Sequence, residues 1–140
     1  MGAVTRRIRK LGAIPRRVVV ADDSAAMRTT LRLLLEDAAP GLDVVEAADG
    51  FGVLRALDEG PVDVLVCDLS MPVLDGRKLM RMLAERPDRP DVVIVSGAPP
   101  APGDAWQLDT IRGWLEKPFD PRTLIALVLG APPPSAQTGS

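Results

Sequence analysis

The strongest constraint in this sequence is an alternation. From Arg17 to about Gly130, short runs rich in β-branched residues take turns with longer amphipathic stretches. Val18-Val19-Val20, Val44-Val45, Val62 to Cys67, Val92 to Val95 and Trp114 to Glu116 read as strands. Ser24 to Ala39 carries Met27, Leu31, Leu34 and Leu35 at helical spacing and stops at Pro40-Gly41. Gly50 to Glu59, closed by Gly60-Pro61, and about Arg77 to Glu85 read as the next helices. Asp120, Pro121 and Gly130 take the cap, first-turn and post-terminal positions of a last helix. Strands whose apolar residues do not alternate with polar ones belong to a parallel sheet covered on both faces. Right-handed crossovers then give a doubly wound five-stranded α/β sheet of flavodoxin-like order 2-1-3-4-5, with helices on both faces.

Three segments fall outside this rhythm. Residues 98–103, Ala-Pro-Pro-Ala-Pro-Gly, stand where a fourth helix would begin. Prolines there argue against helix before Asp104, so the fourth helix is expected to be short, Asp104 to Arg112, or irregular. Residues 1–16 read as a basic, flexible arm ahead of one domain at 17–130. The Pro/Ser/Gly-rich tail at 131–140 reads as disordered.

In an open parallel sheet, ligands bind outside the carboxyl ends of the strands. Asp22-Asp23 ends the first strand, Asp68 the third, Ser96 the fourth and Lys117 the fifth. The strand order therefore gathers three carboxylates, a hydroxyl and an ammonium at one edge. Two carboxylates 4 Å apart repel by roughly 4 kcal/mol at an effective dielectric near 20. Three in one pocket call for a proton or a cation. The chain holds no histidine and one cysteine, so an imidazole base, a His-ligated metal and a cysteine-built zinc site are excluded. A metal held by oxygen points to Mg²⁺, Mn²⁺ or Ca²⁺, and an all-oxygen cluster with room for water suits Mg²⁺. Such a metal can neutralise a transferring phosphoryl group while a carboxylate acts as nucleophile. Lys117 and Ser96 offer donors to its oxygens.

These residues resemble the response regulator receiver family of two-component signalling, in its single-domain, chemotaxis-regulator-like form. The matching pieces are Asp22-Asp23 with Met27, the run Asp68-Leu-Ser-Met-Pro-Val-Leu-Asp75-Gly76, Ser96-Gly97, and Lys117-Pro118-Phe119. The resemblance implies that Asp68 accepts a phosphoryl group from a phosphohistidine on a sensor histidine kinase or a histidine phosphotransfer protein. It implies Mg²⁺ bound by Asp23 directly, by Asp22 mainly through water, by Asp68, and by the backbone carbonyl of Ser70. Lys117, joined to Pro118 by a cis bond in the family pattern, contacts the phosphoryl group. Ser96 and Trp114 take the switch positions. The expected protein is a phosphoacceptor that promotes its own phosphorylation and dephosphorylation rather than an enzyme.

Blander readings stand beside these. Asp22 and Asp23 suit a helix cap, Asp75-Gly76 a turn, Cys67 an inert core position, and Trp114 simple core filling. Trp114 replaces the family's more usual tyrosine, phenylalanine or histidine. The Pro-rich stretch departs from the family on a common output face. Ser70 and Ala98 stand where the family tunes hydrolysis, and since both are small the resemblance implies a phosphoaspartate of intermediate lifetime.

Residues 1–17 carry six basic and no acidic side chains, whereas the rest carries 11 basic against 19 acidic. The acidic body argues against direct DNA binding. The absence of a long apolar run argues against membrane insertion, and a cytoplasmic address is expected. With about ten residues after Gly130, output is expected through non-covalent binding to an unknown downstream protein, by a monomer or weak homodimer. A phosphorelay intermediate and a phosphorylation-independent binding adaptor remain the alternatives. A haloacid-dehalogenase-type phosphatase fits poorly, because Ser70 stands where that class needs a second aspartate.

Overall fold

The computed structural model describes residues 15–74, 76–99 and 111–130. Along the chain run β1 (Arg17–Ala21), α1 (Ala25–Ala38), β2 (Asp43–Ala47), α2 (Gly50–Glu59), β3 (Val64–Asp68), α3 (Gly76–Ala84), β4 (Asp91–Ser96), β5 (Ile111–Glu116) and α4 (Pro121–Leu129). The strands pair in parallel in the order β2-β1-β3-β4-β5, the flavodoxin-like order expected.

Successive side chains of a strand point to opposite faces, and here both faces are covered. Val18, Val20, Val64, Val66, Val93 and Val95 pack with Leu31 and Leu35 of α1 and Leu124 and Val128 of α4. Val19, Leu65, Cys67 and Ile94 pack with Val53 of α2 and with Leu79, Met80 and Leu83 of α3. The central strands can therefore carry no polar residue until they leave the sheet. That is why their chemistry is confined to their ends.

Local signals set the helix bounds. The Ser24 hydroxyl accepts the Met27 N–H at 3.2 Å, and Asp49 and Asp120 cap α2 and α4 in the same manner. Gly130 closes α4 in the left-handed region at φ 79°. Gly76 opens α3 because the chain has no room for a side chain there. A Cβ at this position would lie 2.6 Å from the Leu69 Cα.

One expectation is corrected. The proposed helix from Asp104 to Arg112 ends in the wrong element, since Ile111 and Arg112 belong to β5. The β4–β5 register jumps from Val92↔Ile111 to Val93↔Gly113, leaving Arg112 as an extra residue in a bulge. The bulge puts Ile111 and Trp114 on the same side of the sheet, a spacing that plain strand alternation forbids. Arg112 is held there by Asp91 Oδ2 at 2.9 Å and by the carbonyls of Leu127 and Val128. The remainder of that segment (100–110), residues 1–14 of the arm, the tail from 131 and Asp75 lie outside the described residues. Pro15 is buried, and Asp63 Oδ2 accepts the backbone N–H groups of Arg16 and Arg17 at 2.8 and 3.1 Å. Among the described residues, no helix is long and apolar enough to cross a membrane.

Candidate functional site

β1 and β3 are neighbours, and both end at the same edge of the sheet. Asp22 and Asp23 follow the last residue of β1, and Asp68 is the last residue of β3. One oxygen from each of the three carboxylates lies within 4.8 Å of the others. Lys117 reaches the same point from beyond β5, its peptide N–H anchored on the Ser96 carbonyl at 2.7 Å. Its ammonium lies 3.0 Å from Asp68 Oδ2 and 3.5 Å from Asp22 Oδ2. The Lys117–Pro118 bond is cis. The convergence read from the strand ends is thus found for Asp22, Asp23, Asp68 and Lys117.

The charges in this pocket do not balance. Asp22 and Asp68 are each only 3 % exposed, and one ammonium faces three carboxylates. At 4.8 Å, two unit charges repel by roughly 3.5 kcal/mol at an effective dielectric of 20. Burial pushes the Asp22 carboxyl above its ordinary value, and the nearby Asp68 charge adds to the rise. The N–H of Ser24 and the Lys117 ammonium pull the other way without cancelling it. Burial by itself would lower Lys117, but its hydrogen bond to Asp68 and the two carboxylate charges hold it above its ordinary value. Such an oxygen-only set fits a hard divalent cation.

The Asp68 carboxylate is gripped at both oxygens, Oδ2 by Lys117 and Oδ1 by the Ser70 N–H at 2.9 Å. Asp22 Oδ1 accepts the Ser24 N–H at 2.8 Å. Ser96 is buried at the end of β4, and its hydroxyl accepts the Ala98 N–H at 3.2 Å. Asp68 pairs in register with Val95, so Ser96 lies one residue beyond it on the adjacent strand. Trp114 is partly buried against the α2–α3 side of the core, and its indole N–H donates to the Ala98 carbonyl at 3.1 Å. Both backbone groups of Ala98 are therefore held by the two expected switch residues. Cys67 is fully buried, and burial together with the Asp68 and Asp22 charges pushes its thiol far up. It is an inert core side chain.

Two residues bear on the site in ways that the sequence does not reveal. Ser24 is legible as a helix start, but not as a donor to Asp22. Arg28, one turn into α1, donates to the Asp22 carbonyl at 2.7 Å. That contact depends on how α1 lies over the β1–β2 edge, which spacing along the chain does not reveal.

Comparison with known proteins agrees with this geometry. The family model of the response regulator receiver domain matches residues 18–129. The chain is 48% identical over 85 residues to protein-glutamate methylesterase/protein-glutamine glutaminase 5 of Myxococcus xanthus, a match covering 60% of this chain and 24% of that protein. It is 35% identical over 116 residues to the transcriptional regulatory protein FixJ of Bradyrhizobium diazoefficiens, covering 81% of this chain and 55% of that protein. The chain thus spans well under two thirds of the length of these relatives. Among solved structures, the chemotaxis response regulator CheY4 of Vibrio cholerae superposes with a TM-score of 0.68 at 27% identity, covering 78% of this chain and 92% of that one. The receiver domain of Francisella response regulator 1452 superposes with a TM-score of 0.68 at 28% identity, covering 81% and 93%.

Proposed function

This chain belongs to the response regulator receiver domain family, and on that premise we propose that it signals by carrying a phosphoryl group on Asp68. The donor is a phosphohistidine on a sensor histidine kinase or a histidine phosphotransfer protein. An Asp68 carboxylate oxygen forms the new P–O bond as the P–N bond to the donor breaks. The electron pair leaves with the imidazole, which takes up a proton from solvent.

The observation that carries this reading is the bridge from Lys117 to Asp68 and Asp22, with Asp23 completing the acid cluster. The Ser70 N–H and the Lys117 ammonium fix the carboxylate in one orientation, which limits the entropy lost on reaching the reactive geometry. Lys117 is placed to follow charge onto a phosphoryl oxygen. Asp22, Asp23, Asp68 and the Ser70 carbonyl would hold Mg²⁺, or Mn²⁺, which neutralises the phosphoryl oxygens during transfer. The family resemblance assigns Asp23 a direct bond to the cation and Asp22 a share mainly through water. Ser96 accepts from Ala98 and keeps its own O–H to donate.

The new charge draws the Ser96 hydroxyl away from Ala98, loosening a loop that Trp114 also holds. Output then runs through phosphorylation-dependent binding to a partner protein. The domain at 17–130, the basic arm and the tail stand as parts of the same proposal. The test uses Trp106→Phe protein, in which Trp114 is the remaining indole. Beryllofluoride with Mg²⁺ is expected to shift its emission, and Asp68→Ala to abolish the shift. A response that persists without Asp68 refutes the assignment.

A further inference from the structure

The backbone of Asp22 is held on both sides from outside the acid cluster. Asp22 donates its N–H to the Ala47 carbonyl at 3.1 Å, at the end of β2. Its carbonyl accepts from Arg28 Nη1 at 2.7 Å. Arg28 Nε is itself aimed by Glu46 Oε1 at 3.2 Å, and Glu46 grips Arg32 Nε with its other oxygen at 2.6 Å. Both backbone groups of Asp22 are therefore fastened to β2, one directly and one through the guanidinium. The side chain of Arg28 is 16% exposed, so solvent competes little for it.

We propose that Arg28 is a positioning residue for the divalent cation, fixing through the Asp22 carbonyl the direction in which the Asp23 carboxylate leaves the chain. This rests on the metal reading of the acid cluster given above. Asp23 is exposed, and no strand holds it, so the plane of its preceding peptide governs where its oxygens can point. A guanidinium presents several N–H donors in a fixed fork, and here that fork spans a carbonyl and a carboxylate at once. The charge of Arg28 is matched by Glu46. Its contribution to the metal is therefore geometric, of the kind that outer partners of metal ligands supply.

The test is direct binding of Mn²⁺ alone, read as loss of the free-ion paramagnetic resonance signal, alongside thermal unfolding. Arg28→Met keeps the aliphatic stem and removes the donors. It is expected to weaken Mn²⁺ about tenfold, the lower bound for loss of a partner that orients a ligand. Arg32→Ala breaks the same α1–β2 ion-pair group but spares the Asp22 carbonyl, and is expected to stay within about twofold of the unsubstituted chain. A purely structural role would make these variants alike in both measurements. Unchanged Mn²⁺ affinity in Arg28→Met, or an equal loss in Arg32→Ala, overturns the role of Arg28 while leaving the metal site standing. Absence of saturable Mn²⁺ binding in the unsubstituted chain overturns the metal reading and this proposal with it. If Arg28→Met does not fold, Glu46→Gln decides: a several-fold loss of affinity supports the proposal and none overturns it.

Discussion

Lys117 donates to Asp68 across 3.0 Å, joining the ends of β5 and β3, two strands kept apart in the sheet by β4. Nothing in the pairing of the strands requires that contact. It exists because Lys117 leaves β5 at the level of Ser96 and spans one strand width to a buried carboxylate.

Lys117→Ala is therefore expected to act twice. It leaves Asp68 Oδ2 without its cation in a buried position, at a cost of about 1–3 kcal/mol in urea unfolding. It also slows uptake of phosphoryl groups from acetyl phosphate by at least about tenfold, since a donor aimed at developing charge is removed. Added Mg²⁺ should recover part of the stability and little of the rate. A variant matching the unsubstituted chain in both would show that the contact is incidental.

Glu46 gives a pH dependence with a definite sign. The hydrogen bond from Arg32 holds its carboxyl below the ordinary value of 4.5; burial opposes it, and Arg28 adds a further lowering. A depressed folded value means that ionised Glu46 stabilises the fold above about pH 4.5 and that this contribution is lost as pH falls through the depressed value. Its side chain is 27% exposed, so solvent screens the pairs and the contribution is about 1 kcal/mol or less. Glu46→Gln is expected to be less stable at pH 7, with the gap to the unsubstituted chain closing on acidification. A gap that is constant from pH 7 to pH 3 would contradict the assignment.

How much of this was legible from residues alone follows from where the information lies. The acids and the lysine could be brought together because each ends an apolar run, and a parallel sheet fixes which edge those ends share. The end of α2 could be placed because Gly60-Pro61 follows Glu59. The start of β5 could not, because the bulge at Arg112 replaces alternation with an offset that resembles helical spacing. Arg28 could not, because its acceptor is set by the contact of α1 with β2, 18 residues away at Glu46. That the oxygen of Ser96, a residue read as a donor to phosphoryl oxygens, accepts from Ala98 could not be read either. A side-chain rotamer is not written in the spacing of strands.

Val73 lies in the loop between Asp68 and α3 and adopts φ 69°, a left-handed conformation that a β-branched side chain resists. Met71 and Leu74 on either side are only 5% and 8% exposed, while Val73 is 78% exposed. The two anchors impose the turn, and Val73 absorbs the strain without burying its side chain. Val73→Gly removes a strain of about 1–3 kcal/mol, offset by about 0.5–1 kcal/mol of extra backbone freedom in the unfolded chain. A net gain of about 1 kcal/mol is expected, visible as a raised Tm with phosphoryl uptake intact. A lowered Tm would mean that the valine makes a contact worth more than the strain.

Trp114 and Ser96 hold the two backbone groups of Ala98, the indole N–H on its carbonyl at 3.1 Å and the hydroxyl on its N–H at 3.2 Å. A contact shifts a two-state equilibrium only by its difference between the states. If Ser96 must release Ala98 to reach the phosphoryl oxygen, the indole bond opposes that release. Trp114→Phe keeps an aromatic ring against the core and deletes the N–H, removing about 1 kcal/mol of restraint. Phosphoryl uptake from acetyl phosphate is then expected to rise about fivefold, with Mg²⁺ affinity unchanged. A rate that stays constant or falls would mean that the indole serves the phosphorylated conformation equally or better, and that the loop is restrained by Ser96 alone.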